Sequence, residues 1–434
     1  MTIDNVVNND RPLALPFGFA SHSSGLFRAT GFQYQAPDPE SLSRNMVEHY
    51  LAHRSSYSAG GQLARRIEDT DQHSSVTLVH LAASGATTYK GVVGPYSGRH
   101  PDSRNDYWRS LCPGCMLEPQ LNSLFRLAAG GQNDSPRDID MLVLSIGGND
   151  VGFANAIISM IARVGEPGHR KFGPSFAMVK EAIRTGAWNE VQAYLDIGPQ
   201  QLAVQFSMGL QAETGLEGLP FALDQVANTL SALQEEYDIS VKNVVLVGYP
   251  DPTWRIDSRG RQATCGNILE GVVDNLLVDS ETVRFRITPY EQEFLRSELI
   301  EPLRGILEQA AMKYQRQGWS YLDATETMVQ GILGNARSHG ICGSDPYWPG
   351  NPGCYIPERA LHGWLQDDEY LKMCSGQSNP TLSYSTRWFR TARLSALIQG
   401  PENRQETVGT VHPNEFGHRA LSDILFDRSK ALLD

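Results

Sequence analysis

The histidine of "GTVHPNEFGHRA", a stretch that begins at Gly409, is well placed to move a proton. His412 stands directly before Pro413, in a loop. The residues after it read as the chain's last helix, entered at the favoured N-cap residue Asn414. An imidazole held there suits a general base; His418, six residues on, reads as a surface or structural histidine. A base needs a nucleophile to activate, and "LALPFGFASHSSG" (Leu13 to Gly25) offers Ser21, Ser23 and Ser24 where an apolar run gives way to small polar residues. Such a hydroxyl attacks a carbonyl only when a neighbouring imidazole takes its proton. The oxyanion then formed needs fixed donors. "LVLSIGGNDVGFA" from Leu142 places the amide of Asn149 after two glycines, and "LVHLAASGATTYKG" from Leu78 offers the backbone N–H of Gly85. Each stretch also has a plainer reading, because Gly, Asn, Asp and Ser are the ordinary residues of turns.

In chain order, strand–SGAT, strand–IGGND and a C-terminal HPN–helix resemble the SGNH (GDSL-type) hydrolase superfamily. "RSSYSAGGQLARRI", "VLVGYPDP", "HGIC" and "RWFRT" are similar to its bacterial branch, so the likeness runs from about residue 13 to about residue 430. The resemblance implies a flavodoxin-like three-layer α/β/α sandwich with a central parallel sheet. It implies esterase- or lipase-like hydrolysis without metal or organic cofactor. Gly85 and Asn149 would be the oxyanion donors, and His412 the base that activates a serine and later protonates the leaving alcohol. A small-molecule, lipid or carbohydrate ester is the implied substrate. The chain departs from the family at two places. The first motif reads roughly A-L-G-D-S-F-A-S-G, whereas Ala14 to His22 read A-L-P-F-G-F-A-S-H, so Gly18 occupies the nucleophile's position. Gly409 stands where the family has an aspartate to orient the imidazole; Glu406 is a nearby carboxylate.

Four readings of the first departure follow. The nucleophile is displaced to Ser21, or further to Ser23 or Ser24, or the chain is a catalytically silent protein with a binding cleft. Alternatively the N-terminal stretch is altered, or the register is not the true one. A displacement of three residues moves the hydroxyl roughly 10 Å along an extended chain. His412 serves such a site only if the loop folds back.

The scaffold expected to bring these stretches together is α/β. Five apolar runs read as strands: "LALPFGFAS", "VTLVHLA" from Val76, "IDMLVLSIGG" from Ile139, "KNVVLVGYP" from Lys242 and "WSYLDA" from Trp319. Several are apolar on consecutive residues, as strands covered on both faces are. Leu223, Val226, Leu230 and Leu233 fall on one helical face between Leu219 and Tyr237. A second stripe runs through Leu295, Leu299, Leu303, Ile306 and Ala310, with Pro302 expected to kink or restart its helix. We expect a single domain with a core over about residues 12–430 and two insertions. The first, about 172–215, is helical; the second, about 338–403, is loop-rich and holds Cys342, Cys354 and Cys374.

Bulk properties narrow the partners. Of 434 residues, 41% are hydrophobic, enough for a sizeable core, and the net charge of −12 argues against a nucleic-acid partner. No apolar run approaches the length of a membrane span. The start "MTIDNVVNND" lacks the basic and apolar regions of a secretory signal. That points to the cytoplasm, whereas six cysteines and the family likeness pull toward a secreted or cell-surface protein. "CPGC" (Cys112 to Cys115) has redox-motif spacing, but no second CxxC follows at zinc-ribbon distance.

Overall fold

The computed structural model describes residues 58–70, 75–97, 116–130, 135–164, 176–188, 191, 215–253, 255–256, 262–263, 272–278, 281–286, 288–324, 389, 412–413 and 415–433. Helices α1 (Ala59–Thr70) and α2 (Gln120–Ala128) precede strand β1 (Leu142–Leu144). After β1 come α3 (Phe153–Ile161), β2 (Ala162–Val164), α4 (Phe176–Thr185) and the long α5 (Gly215–Tyr237). The chain then forms β3 (Val244–Val247), β4 (Arg255–Ile256), β5 (Gln262–Ala263), β6 (Val272–Val278) and β7 (Glu281–Arg286). Helix α6 (Pro289–Leu295), a π turn at Arg296–Ile300, α7 (Glu301–Lys313) and β8 (Trp319–Leu322) follow, and α8 (Glu415–Leu433) comes last.

The central feature is a small parallel sheet in the order β1–β3–β8, flanked by helices. Leu142 pairs with Val244, and Val244 with Trp319. All four residues of β3 are buried, which explains why its sequence, VVLV, shows no alternation. Helix α5 lays Leu219, Leu223, Val226, Leu230 and Leu233 into the core and packs against α2, α4 and α7. The second stripe is also realised: Leu295, Leu299, Leu303 and Ala310 are buried. Pro302 sits in the first turn of α7, directly behind the π turn. Its ring bars an ordinary continuation of α6, and the amide of Glu301 reaches back to the Arg296 carbonyl instead. Pro302 therefore marks a restart.

Three of the five expected strands are β1, β3 and β8. "LALPFGFAS" lies outside the described residues. "VTLVHLA" is corrected: Val76–Ala82 forms no strand among the described residues, and most of its side chains are only half-buried. A tight loop, not a helix, follows Gly85. A second sheet, antiparallel in the order β2–β7–β6, and a β4–β5 pair were not expected. Within the first insertion α4 is helical, and Trp188 and Val191 are buried. Of the second, only Phe389 is described, paired with Pro413 in an isolated antiparallel bridge. The six cysteines and Asn414 lie outside the described residues. Among the described residues no helix is long and apolar enough to cross a membrane.

Candidate active site

Two loops meet at the carboxyl end of the parallel sheet, the end at which open α/β sheets take their ligands. The first leaves β1 through Ser145 and Ile146 into Gly147–Asp150 and enters α3. Gly147 has φ of +98°, a conformation closed to ordinary side chains. Gly148 is needed for space instead, because a Cβ there would lie 2.4 Å from Cε1 of Tyr249. Tyr249 follows β3, so its ring braces the loop after β1 against the loop after its neighbour strand; it also meets Phe153 at 5.4 Å. Burial pushes the Tyr249 phenol up to about 12, against hydrogen bonds to the Gly148 backbone and the Ser145 side chain. The phenol thus keeps its proton across ordinary pH.

The second loop runs from Ala83 to Gly91. Ala86 N–H donates to the Ala83 carbonyl (3.2 Å) and Gly85 has φ of +75°, the values of a type II turn with glycine at its third residue. Beyond the turn, Thr87 N–H donates to Lys90 O (2.8 Å), and Lys90 N–H returns to Thr87 Oγ1 (3.0 Å).

Asn149 and Asp150 join the loops. Asn149 Nδ2 donates to the Ala86 carbonyl at 2.8 Å. The fully buried Asp150 carboxylate accepts the Thr88 N–H at 3.0 and 3.2 Å, and its backbone carbonyl takes the N–H of Gly215 at the head of α5 (3.0 Å). Asp150 therefore fastens three segments at one point. The two expected donors, Gly85 and Asn149, are thereby brought together. The bond to Ala86 uses one N–H of the amide and fixes its plane, so the second N–H has a set direction. Gly85 N–H donates to no acceptor among the described residues.

His412 is exposed and precedes α8 by three residues, in the loop position expected for it. Helix α8 packs along α1, where Asp423 pairs with Arg66 and the Arg66 guanidinium lies 4.5 Å from the Phe426 ring centre. A Cβ on Gly60 of α1 would stand 3.8 Å from His80, on the segment that leads into Gly85. Gly18, Ser21, Ser23, Ser24, Glu406 and Gly409 lie outside the described residues. The sequence missed the brace at Tyr249 and the buried anchor Asp150, which reads locally as a turn residue. Among the described residues no group of three His, Cys, Asp or Glu is gathered as a metal site. No protein-family model matches the chain, and no curated protein or solved structure matches it either.

Proposed function

We propose that this chain is an SGNH-type α/β protein, a flavodoxin-like sandwich whose chemistry is carboxylic-ester hydrolysis. The observation that carries this reading is the Asn149–Ala86 hydrogen bond, which sets an anchored amide beside the turn that bears the Gly85 N–H. Two preorganised donors at the carboxyl end of a parallel sheet suit the oxyanion of acyl transfer. In this mechanism the Ser21 hydroxyl attacks the ester carbonyl while His412 takes its proton. Gly85 N–H and the second N–H of Asn149 hold the oxyanion. Collapse expels the alcohol, protonated by His412, and leaves an acyl-serine. Water then attacks it, with His412 again as base, and the carboxylic acid leaves as Ser21 regains its proton. A small-molecule, lipid or carbohydrate ester fits as substrate.

Gly18 favours a second reading, a catalytically silent protein that keeps the cleft for acylated sugars or lipids. A fluorophosphonate probe separates the two, with His412→Ala as control and the labelled peptide mapped by mass spectrometry. Hydrolysis predicts label on Ser21 or a neighbour, lost in the control. It also predicts that Asn149→Ala lowers kcat on short aryl esters by about 10²–10³-fold. No label and no turnover would leave the silent reading.

A further inference from the structure

We infer that Tyr96 is the positioning residue for the Gly85 N–H, an inference that rests on the oxyanion role proposed above. A type I and a type II turn differ mainly by a flip of the central peptide plane. In the turn from Ala83 to Ala86 that plane is the Ser84–Gly85 peptide, and its N–H is the expected donor. Glycine at the third position accepts either state, because it takes positive and negative φ about equally. The turn sequence alone therefore leaves the direction of this N–H undecided. What decides it is the partner of the carbonyl on the same peptide. Tyr96 Oη donates to the Ser84 carbonyl at 2.8 Å. In a trans peptide the C=O and N–H point opposite ways, so a carbonyl held toward Tyr96 turns the Gly85 N–H away from it.

Tyr96 is itself held. Its N–H donates to the Leu117 carbonyl (3.0 Å), and Leu117 N–H donates back (2.6 Å). Leu117 is buried and lies just ahead of α2. The loop between the turn and Tyr96 is tied to the same helix: Gln120 N–H donates to the Gly91 carbonyl (2.7 Å) and Leu121 N–H to that of Val92 (3.2 Å). The phenol thus reaches the turn from a fixed base. Without its hydroxyl the plane is free to rotate, and the rotated state points a carbonyl where a donor is needed.

Tyr96→Phe tests this, since it keeps the ring and the backbone bridge and removes only the hydroxyl. Serine 13C-carbonyl with glycine 15N labelling selects the Ser–Gly peptides, and Ser84→Ala assigns the Ser84–Gly85 signal by its loss. In the wild-type protein we expect the strong Ser84 Hα to Gly85 HN Overhauser contact of a type II turn, and in Tyr96→Phe a weakened or divided one. Turnover of p-nitrophenyl butyrate should fall about 10-fold or more in kcat with KM little changed, as when a donor used mainly in the transition state is lost. An unaltered contact in the variant overturns the clamp, whatever the activity. A weakened contact in a protein whose wild type turns over no ester leaves the clamp standing and removes the hydrolase reading instead.

Discussion

Gly148 has a reason to be glycine that differs from that of Gly147 beside it. Gly147 is required by its backbone angle, Gly148 by the ring of Tyr249. Gly148→Ala therefore overpacks a contact that has no slack, and we expect a loss of about 1–3 kcal/mol in urea unfolding. Because the cost arises at one contact, Gly148→Ala combined with Tyr249→Ala should cost less than the sum of the two changes; strict additivity would show that the clash is not the cause. Asp150→Ala removes the acceptor of a buried amide, Thr88 N–H, and should cost about 1–3 kcal/mol by the same assay. These residues show which parts of the candidate site a sequence can suggest and which it cannot. Asn149 and Gly85 could be singled out as candidates because their types and neighbours suit donors to an anion. Asp150 and Tyr249 were not, because their importance lies in partners 62 residues and about 100 residues away in the chain, which no local pattern encodes.

The elements around these residues depend on their ends and on single bridges. Helix α6 begins in a capping box: Thr288 Oγ1 accepts the Glu291 N–H (3.2 Å), and Glu291 Oε2 accepts the Thr288 N–H (2.8 Å). Thr288→Ala should cost about 1 kcal/mol, read as a shift in the urea midpoint with unchanged slope. Helices α5 and α7 are bridged by Asp224, which accepts from Lys313 Nζ (2.7 Å) and Tyr314 Oη (2.7 Å). The Lys313 bond, then the Tyr314 bond, hold its carboxyl below the usual 3.8. A depressed carboxylate adds stability above its unfolded value and loses it as the pH falls through the lowered folded value. Unfolding free energy between pH 5 and pH 2 should thus fall less steeply in Asp224→Asn than in the native chain. At this scale β1 and β3 were legible as unbroken apolar runs, though only β3 is buried at every residue. Strand β8, WSYL, is broken by Ser320 and buried only at Trp319, and was legible from its aromatic residues. The run at Val76 has the same composition but no described partner strand; composition records a tolerance for burial, whereas pairing is a tertiary fact. The β6–β7 hairpin was missed even though Thr282 to Arg286 alternate polar and apolar, because Asp274 and Asn275 interrupt the run before it.

At the scale of the whole molecule, the candidate residues lie on segments far apart in the chain. Helix α8 carries the His412 loop at its head and packs on α1 near the other end of the described fold. Phe426, buried between them under Arg66, is the residue to test. Phe426→Ala should cost about 3–5 kcal/mol in thermal unfolding and make α1 a preferred site of limited proteolysis, since α1 then loses its cover. Intact α1 in the variant would show that other contacts secure it. The pairing has a further consequence during synthesis. About 340 residues separate α1 from α8, so at roughly 5–20 residues per second a new chain spends on the order of 20–70 s with α1 made and its partner not yet translated. Throughout that interval the apolar face of Leu63 and Ile67 has no α8 to cover it. That face is buried only once α8 emerges.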